Sequence, residues 1–198
     1  MNPRERILTT MRHERPDRIP AVLTARPEVN RALMDHFRVS TMDDVNRILG
    51  TDGWAGVAVA MDDSRFLAKT NGVLEGDAPG AGRRYIFHEP GVFEDALGVV
   101  HRLGQDGKYV QWVSGPLVNA DSPDGYDRFD LSRIRPEPDL AEKVARLKAK
   151  GCFVAAGVTM PFKLGWMLRG MEDFLCDYMV NPSFVERLYG KIAAFESE

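Results

Sequence analysis

Only two of the 198 residues are cysteines, Cys152 and Cys176. One lies in an apolar run and the other in a helix-like segment. They read as reduced core thiols rather than a disulfide, and a cytoplasmic setting is expected. No apolar stretch approaches the roughly 20 residues of a membrane-spanning helix, and no signal-type apolar region follows the charged start. Charge of one sign is also lacking: 26 Lys and Arg face 29 Asp and Glu, a net −3. That balance argues against a general nucleic-acid or anionic-membrane surface. The glycine-rich stretch 76–82 has neither the Lys-Ser/Thr of a phosphate loop nor a dinucleotide fingerprint. The four histidines, His13, His36, His88 and His101, are scattered, and neither cysteine has ligand spacing to one of them. No catalytic zinc is therefore expected in this chain. Internal repeats, low-complexity segments and a Ser-His-Asp or Cys-His pattern are missing too.

What is present is an ordinary globular composition, 44% hydrophobic, with enough apolar material for one sizeable core. The chain is organised around 152–170, CFVAAGVTMPFKLGWMLRG. Cys152 to Ala156 opens it with an apolar run lacking polar alternation, which suits a strand buried on both faces. Gly157, Thr159 and Pro161 punctuate a turn, and Pro161 fits the first turn of a helix. Phe162, Trp166 and Arg169 follow at helical spacing. Short loops between a strand and the next helix are where α/β barrels keep their chemistry.

The start, Asn2-Pro3-Arg4-Glu5, carries a capping box and a first-turn proline, with Ile7, Leu8 and Met11 as an apolar stripe. Ile19–Leu23 is a candidate first strand, although Pro20 sits badly inside one. Pro27 begins a helix with Val29, Leu33 and Phe37 on one side. Thr41–Leu49 forms another, capped by Ser40 and stopped by Gly50. Trp54–Met61 is the next buried strand. Segments 85–87, 99–103 and 109–113 read as an antiparallel hairpin excursion, with a turn at Asp106-Gly107. The segment from Asp121 to Pro138 is polar and reads as a surface connection. Asp139 and Glu142 suggest a second capping box, and Leu140, Val144 and Leu147 a helix stripe closed by Gly151. Two further helices follow, 171–180 and one starting at Asn181-Pro182, the latter with Phe184, Leu188 and Ile192 inward.

Gly157-Val158-Thr159-Met160-Pro161-Phe162-Lys163-Leu164, with Trp166 and Gly170, resembles a signature of the uroporphyrinogen decarboxylase superfamily. Asn2-Pro3-Arg4-Glu5-Arg6, Pro16-Asp17-Arg18-Ile19-Pro20 and Phe93-Glu94-Asp95 before Gly98-Val99-Val100 resemble its divergent branch. Lys163 stands where the family has Thr, and Trp166 stands near the place of an active-site Tyr. The resemblance implies cofactor-free decarboxylation of a carboxylated, porphyrinogen-like small molecule. Its alternative branch implies methyl transfer with a corrinoid protein, where zinc, held by His and Cys in the later barrel of a complete protein, activates a thiol.

By the same resemblance Asp62 and Asp63 are the catalytic candidates. They follow the strand Trp54–Met61, and a carboxylate there can stabilise positive charge on a protonated pyrrole. A solvated turn is the equal alternative. Arg26, ahead of Pro27-Glu28, corresponds to one of two family arginines that bind substrate carboxylates through a planar fork. It could equally pair with Glu28 at the surface, and the missing second arginine argues against uroporphyrinogen itself. Thr159, Lys163 and Trp166 complete the expected substrate site, with the helix start at Phe162 favouring an anionic group. A buried core position is the commoner fate of such a Trp.

The expected fold is α/β: the N-terminal part of a (β/α)8 barrel with an N-terminal helix and a β-hairpin insertion, one domain over 1–198. A full barrel takes about 250 residues and eight strands, and about three parallel strands can be placed here. The domain is therefore expected to be incomplete at its C-terminus. Open strand edges would then call for a second copy or a missing C-terminal half, or leave a catalytically silent half-barrel.

Overall fold

The computed structural model describes residues 1–57, 60–61, 69–76, 80, 83–130, 134–135, 139–157 and 159–197. The chain is mixed α/β, and its sheets are open. It divides into two compact units, Met1–Val59 with Pro136–Gly157, and Ala60–Arg135 with Val158–Glu198.

The first unit holds α1 (Pro3–Met11), α2 (Pro27–Phe37), α3 (Met42–Leu49), β1 (Trp54–Val57), α4 (Leu140–Ala149) and β9 (Phe153–Ala156). The box at the start of α1 forms as expected: the Glu5 N–H donates to the Asn2 side chain, and the Glu5 carboxylate accepts from the Asn2 N–H. Met11, assigned to the apolar stripe, is 63% exposed. At α3 the cap is Thr41 and not Ser40, because extended backbone at 41 lets its Oγ1 accept from the Asp44 N–H. Gly50 ends that helix in the left-handed region, where glycine carries no Cβ penalty. The second expected capping box is not made; Asp139 has no side-chain cap bond to α4.

β1 and β9 pair in parallel with Trp54 against Phe153 and Val57 against Ala156. Both strands were expected to be buried on two faces, but β1 alternates exposed and half-buried residues. Among the described residues the sheet has two strands, with α1 and α4 packed against β9. Ile19–Leu23 is not a strand, and Ile19 is 85% exposed. Its polar groups are met another way. The Asp52 N–H donates to the Ala21 carbonyl at 2.6 Å, while the Ala21 N–H donates to the Asp52 carboxylate at 2.9 Å. One aspartate thus stands in for a partner strand.

The second unit carries a five-stranded antiparallel meander: β3 (Gly72–Val73), β4 (Arg84–Glu89), β5 (Val92–Glu94), β6 (Val100–Leu103) and β7 (Val110–Ser114). The three expected β-segments fall on β4, β6 and β7, and the turn at Gly107 takes a positive φ of 67°. A short pair, β2 (Ala60–Met61) with β8 (Ile134–Arg135), runs antiparallel. Residues 134–135 therefore belong to a strand and not to a surface connection. The meander's own cluster is Leu74, Tyr85 and Phe93.

The main core of this unit lies with α5 (Pro161–Arg169), α6 (Met171–Val180) and α7 (Pro182–Glu196). Phe184, Leu188 and Ile192 are fully buried, as their helical spacing predicts, together with Leu168 and Phe174. Each such side chain contributes about 1.5–3 kcal/mol of transfer free energy. Two glycines permit the close packing. A Cβ at Gly165 would meet the Phe174 ring, and one at Gly115 would meet the carbonyls of Met167 and Leu168. Trp112 of β7 donates its indole N–H to the Met167 carbonyl at 2.8 Å, tying sheet to helix. Cys176 is exposed on α6 and is not a core thiol; the inward positions of that helix are Phe174 and Asp177.

Candidate functional site

In the first unit, parallel pairing in register makes the chain leave β1 at Val57 and β9 at Ala156 from the same end. The expected catalytic pair, Asp62 and Asp63, lies outside the described residues. Arg26 is the N-cap residue of α2, half-buried, in extended backbone and without a side-chain cap bond.

The other three expected site residues belong to the second unit. The Thr159 N–H donates to the Glu196 carboxylate at 3.3 Å, so this loop already faces an anion from α7. Lys163 is exposed on α5. Trp166 is half-buried and packs against the main core. That is the ordinary fate of an aromatic on an inward helical stripe.

The most developed polar arrangement is one that sequence reasoning did not assign. Asp52, just ahead of β1, has a fully buried carboxylate. Arg6 of α1 donates to its Oδ1, and Arg18 donates to Oδ2 at 2.6 Å and to Oδ1 at 3.0 Å. Arg6 also grips Asp17 through Nε at 2.6 Å and a second nitrogen at 2.8 Å. The Arg6 side chain is 8% exposed and that of Arg18 42%. Two guanidinium forks and two carboxylates therefore neutralise one another, which a buried charge requires. The motif residues Arg6, Asp17 and Arg18 act here as architecture: they lock α1 and the proline-bounded segment onto the entry to β1. A hollow of about 560 Å³ opens beside them.

A second motif has the same character. Asp95 Oδ1 accepts the N–H groups of Leu97 and Val99, and its Oδ2 lies 2.9 Å from His101 Nε2. Gly98, at φ 80°, closes the turn between β5 and β6. In the helical core, Arg169 grips Asp177 at 2.8 Å and donates to the Leu117 and Ala120 carbonyls. Its position on the apolar stripe with Phe162 and Trp166 was the only sequence signal for it.

No family model, curated protein or solved structure matches the chain. Among the described residues, no group of three or more His, Cys, Asp or Glu is placed to hold a metal ion. Among them too, no helix is long and apolar enough to cross a membrane.

The network titrates with a definite sign. Arg6 is the chief cause holding the Asp17 carboxyl well below its ordinary range. For Asp52, burial pushes upward, but the Ala21 N–H, Arg18 and Arg6 together pull the carboxyl below its ordinary range. A carboxyl depressed by folding stabilises the fold above its unfolded pKa, about 3.9, and ceases to do so as pH falls through the folded value. The stability gap between the wild type and Asp52→Asn is therefore expected to be wide at neutral pH and to shrink below about pH 4. Thermal melts across that range measure it; a gap that stays constant would remove Asp52 ionisation from the stability.

Proposed function

We propose that this chain is an α/β enzyme scaffold of the uroporphyrinogen decarboxylase kind, acting without a cofactor on a carboxylated, porphyrinogen-like small molecule. The observation that carries this reading is the parallel, in-register pairing of β1 with β9, with α4 leading into the second strand. Parallel pairs need a crossover, and chemistry in such folds collects where the strands end. The reading takes β1 and β9 as neighbours in the N-terminal part of a (β/α)8 barrel, with the meander as an insertion between them. The segment with the family-like signature leaves from the end of β9. The architectural use of Arg6, Asp17 and Arg18 also supports it, since these residues would then be retained for the scaffold.

On this reading the outer edges of β1 and β9, each paired on one side among the described residues, are completed by a second copy. Free thiols at Cys152 and Cys176 suit a cytoplasmic setting. Binding is the direct test. Calorimetric titration with a tetrapyrrole bearing carboxylate side chains is expected to show saturable binding. Arg26→Ala should weaken it about tenfold through loss of a charge-assisted bond. Absence of saturable binding by the folded chain would overturn the reading, and an unchanged affinity in the variant would take Arg26 out of the site.

A further inference from the structure

The hollow in the first unit lies at the opposite end of the β1–β9 pair from Val57 and Ala156. Its wall includes Trp54, the first residue of β1, and Cys152, which precedes β9. Its volume, about 560 Å³, falls within the range of small-molecule sites, about 300–1,000 Å³. Four cations line it, Arg6, Arg18, Arg47 and Lys150, against two carboxylates, Asp43 and Asp52. Asp52 lies buried beneath Arg6 and Arg18, and Arg6 itself is buried, so the wall that meets solvent carries Arg18, Arg47 and Lys150 against the single exposed carboxylate of Asp43. Asp44 takes one edge of Arg47 at 2.8 Å, but that side chain remains 75% exposed. Lys150, the C-cap residue of α4, is exposed. The apolar share of the wall comes from Leu147, Ala55 and above all Trp54, which is 57% exposed.

A large aromatic left open beside cations is a stacking platform with charge at its margin. We infer that this hollow binds a small molecule joining an anionic group to a flat aromatic body. The anion meets Lys150 and the exposed guanidinium of Arg47, while the ring lies on Trp54; Arg18 stays committed to Asp52 and to the Ile19 and Gly50 carbonyls. Phosphate and carboxylate share this chemistry. The inference does not rest on the decarboxylase-type reading, whose site would lie at the other end of the strands.

The test follows the indole N–H resonance of Trp54 in the intact chain, assigned by its loss in Trp54→Phe. Adenosine 5′-monophosphate supplies the phosphate arm, benzoate the carboxylate arm and adenosine the uncharged control. At least one anion is expected to shift the Trp54 signal saturably, and the tighter of the two names the preferred group. Adenosine should bind about tenfold more weakly than its monophosphate if phosphate is preferred. Lys150→Ala and Arg47→Ala, both at exposed positions, should each weaken the preferred anion about two- to fivefold. The inference is overturned if neither anion moves the Trp54 signal saturably. It is equally overturned if the natively folded Lys150→Ala, Arg47→Ala double variant binds the preferred anion unchanged.

Discussion

Asp52→Ala is expected to destabilise the first unit by about 3 kcal/mol, near the lower end of what breaking a buried ion pair costs. The carboxylate it removes is fully buried and accepts from three groups: Arg6, Arg18 and the Ala21 N–H. Arg18 can turn to water, since its side chain is 42% exposed. Arg6 cannot, but Asp17 still holds it at 2.6 Å, which keeps the cost from rising further. Asp52→Asn should fall between the wild type and alanine, because its carbonyl can still accept from Ala21 while the charge is lost. Denaturant unfolding followed through the first unit measures the order. Alanine and asparagine variants as stable as the wild type would show the network to be an ornament of the surface.

Phe184→Ala is expected to cost the second unit about 3–5 kcal/mol, the range for emptying a buried aromatic site. Phe184 is fully buried among Leu164, Leu168, Phe174 and Leu188. The Arg169 guanidinium sits 4.7 Å from its ring centre while gripping Asp177. The substitution therefore opens a cavity and removes one face from a buried cation, which would then rely on Asp177 and two carbonyls. Equilibrium unfolding in denaturant gives the difference directly. A loss under about 1 kcal/mol would mean that α5 and α7 collapse into the space.

The helices were legible because their signals are local. Asn2 with Pro3 and Glu5, Pro27, Gly50, Pro161 and Pro182 each act within one turn, and each marks a helix end in the structure. The inward face of α7 followed from spacing for the same reason; on α5 the buried residues are Leu164, Gly165 and Leu168, whereas of the expected stripe Phe162 is exposed and Trp166 and Arg169 are half-buried. Strands were read less well. Trp54–Val57 and Phe153–Ala156 are where the apolar runs placed them, but burial on both faces depends on how many strands pair, and no single run encodes that. Ile19–Leu23 looked like a strand because it is apolar. Its backbone needs were instead met by an aspartate 31 residues further on, and local sequence does not announce such a pairing. β5 went unread because Val92–Glu94 is too short for alternation to show. The family-like motifs were legible as charged patterns, yet their partner Asp52 was not. The signal available was an aspartate directly before an apolar strand and after two arginine-bearing motifs.

The proposed scaffold requires β1 and β9 to run parallel and to pair as Gly56 with Ala155. A Cβ at Gly56 meets nothing within 4 Å, so a cysteine fits there. The measurement is disulfide trapping of Gly56→Cys with Ala155→Cys, in a background with Cys152→Ser and Cys176→Ser. Directly paired strand positions lie about 5 Å apart, inside the span a disulfide bridges. A control pair, Gly56→Cys with Phe153→Cys, is displaced by two residues, about 8 Å in all, and lies outside it. Rapid, near-complete cross-linking of 56 with 155 and little of 56 with 153 is the predicted result. Equal trapping of both pairs, or preferential trapping of 56 with 153, would contradict the parallel register and the enzyme scaffold argued from it.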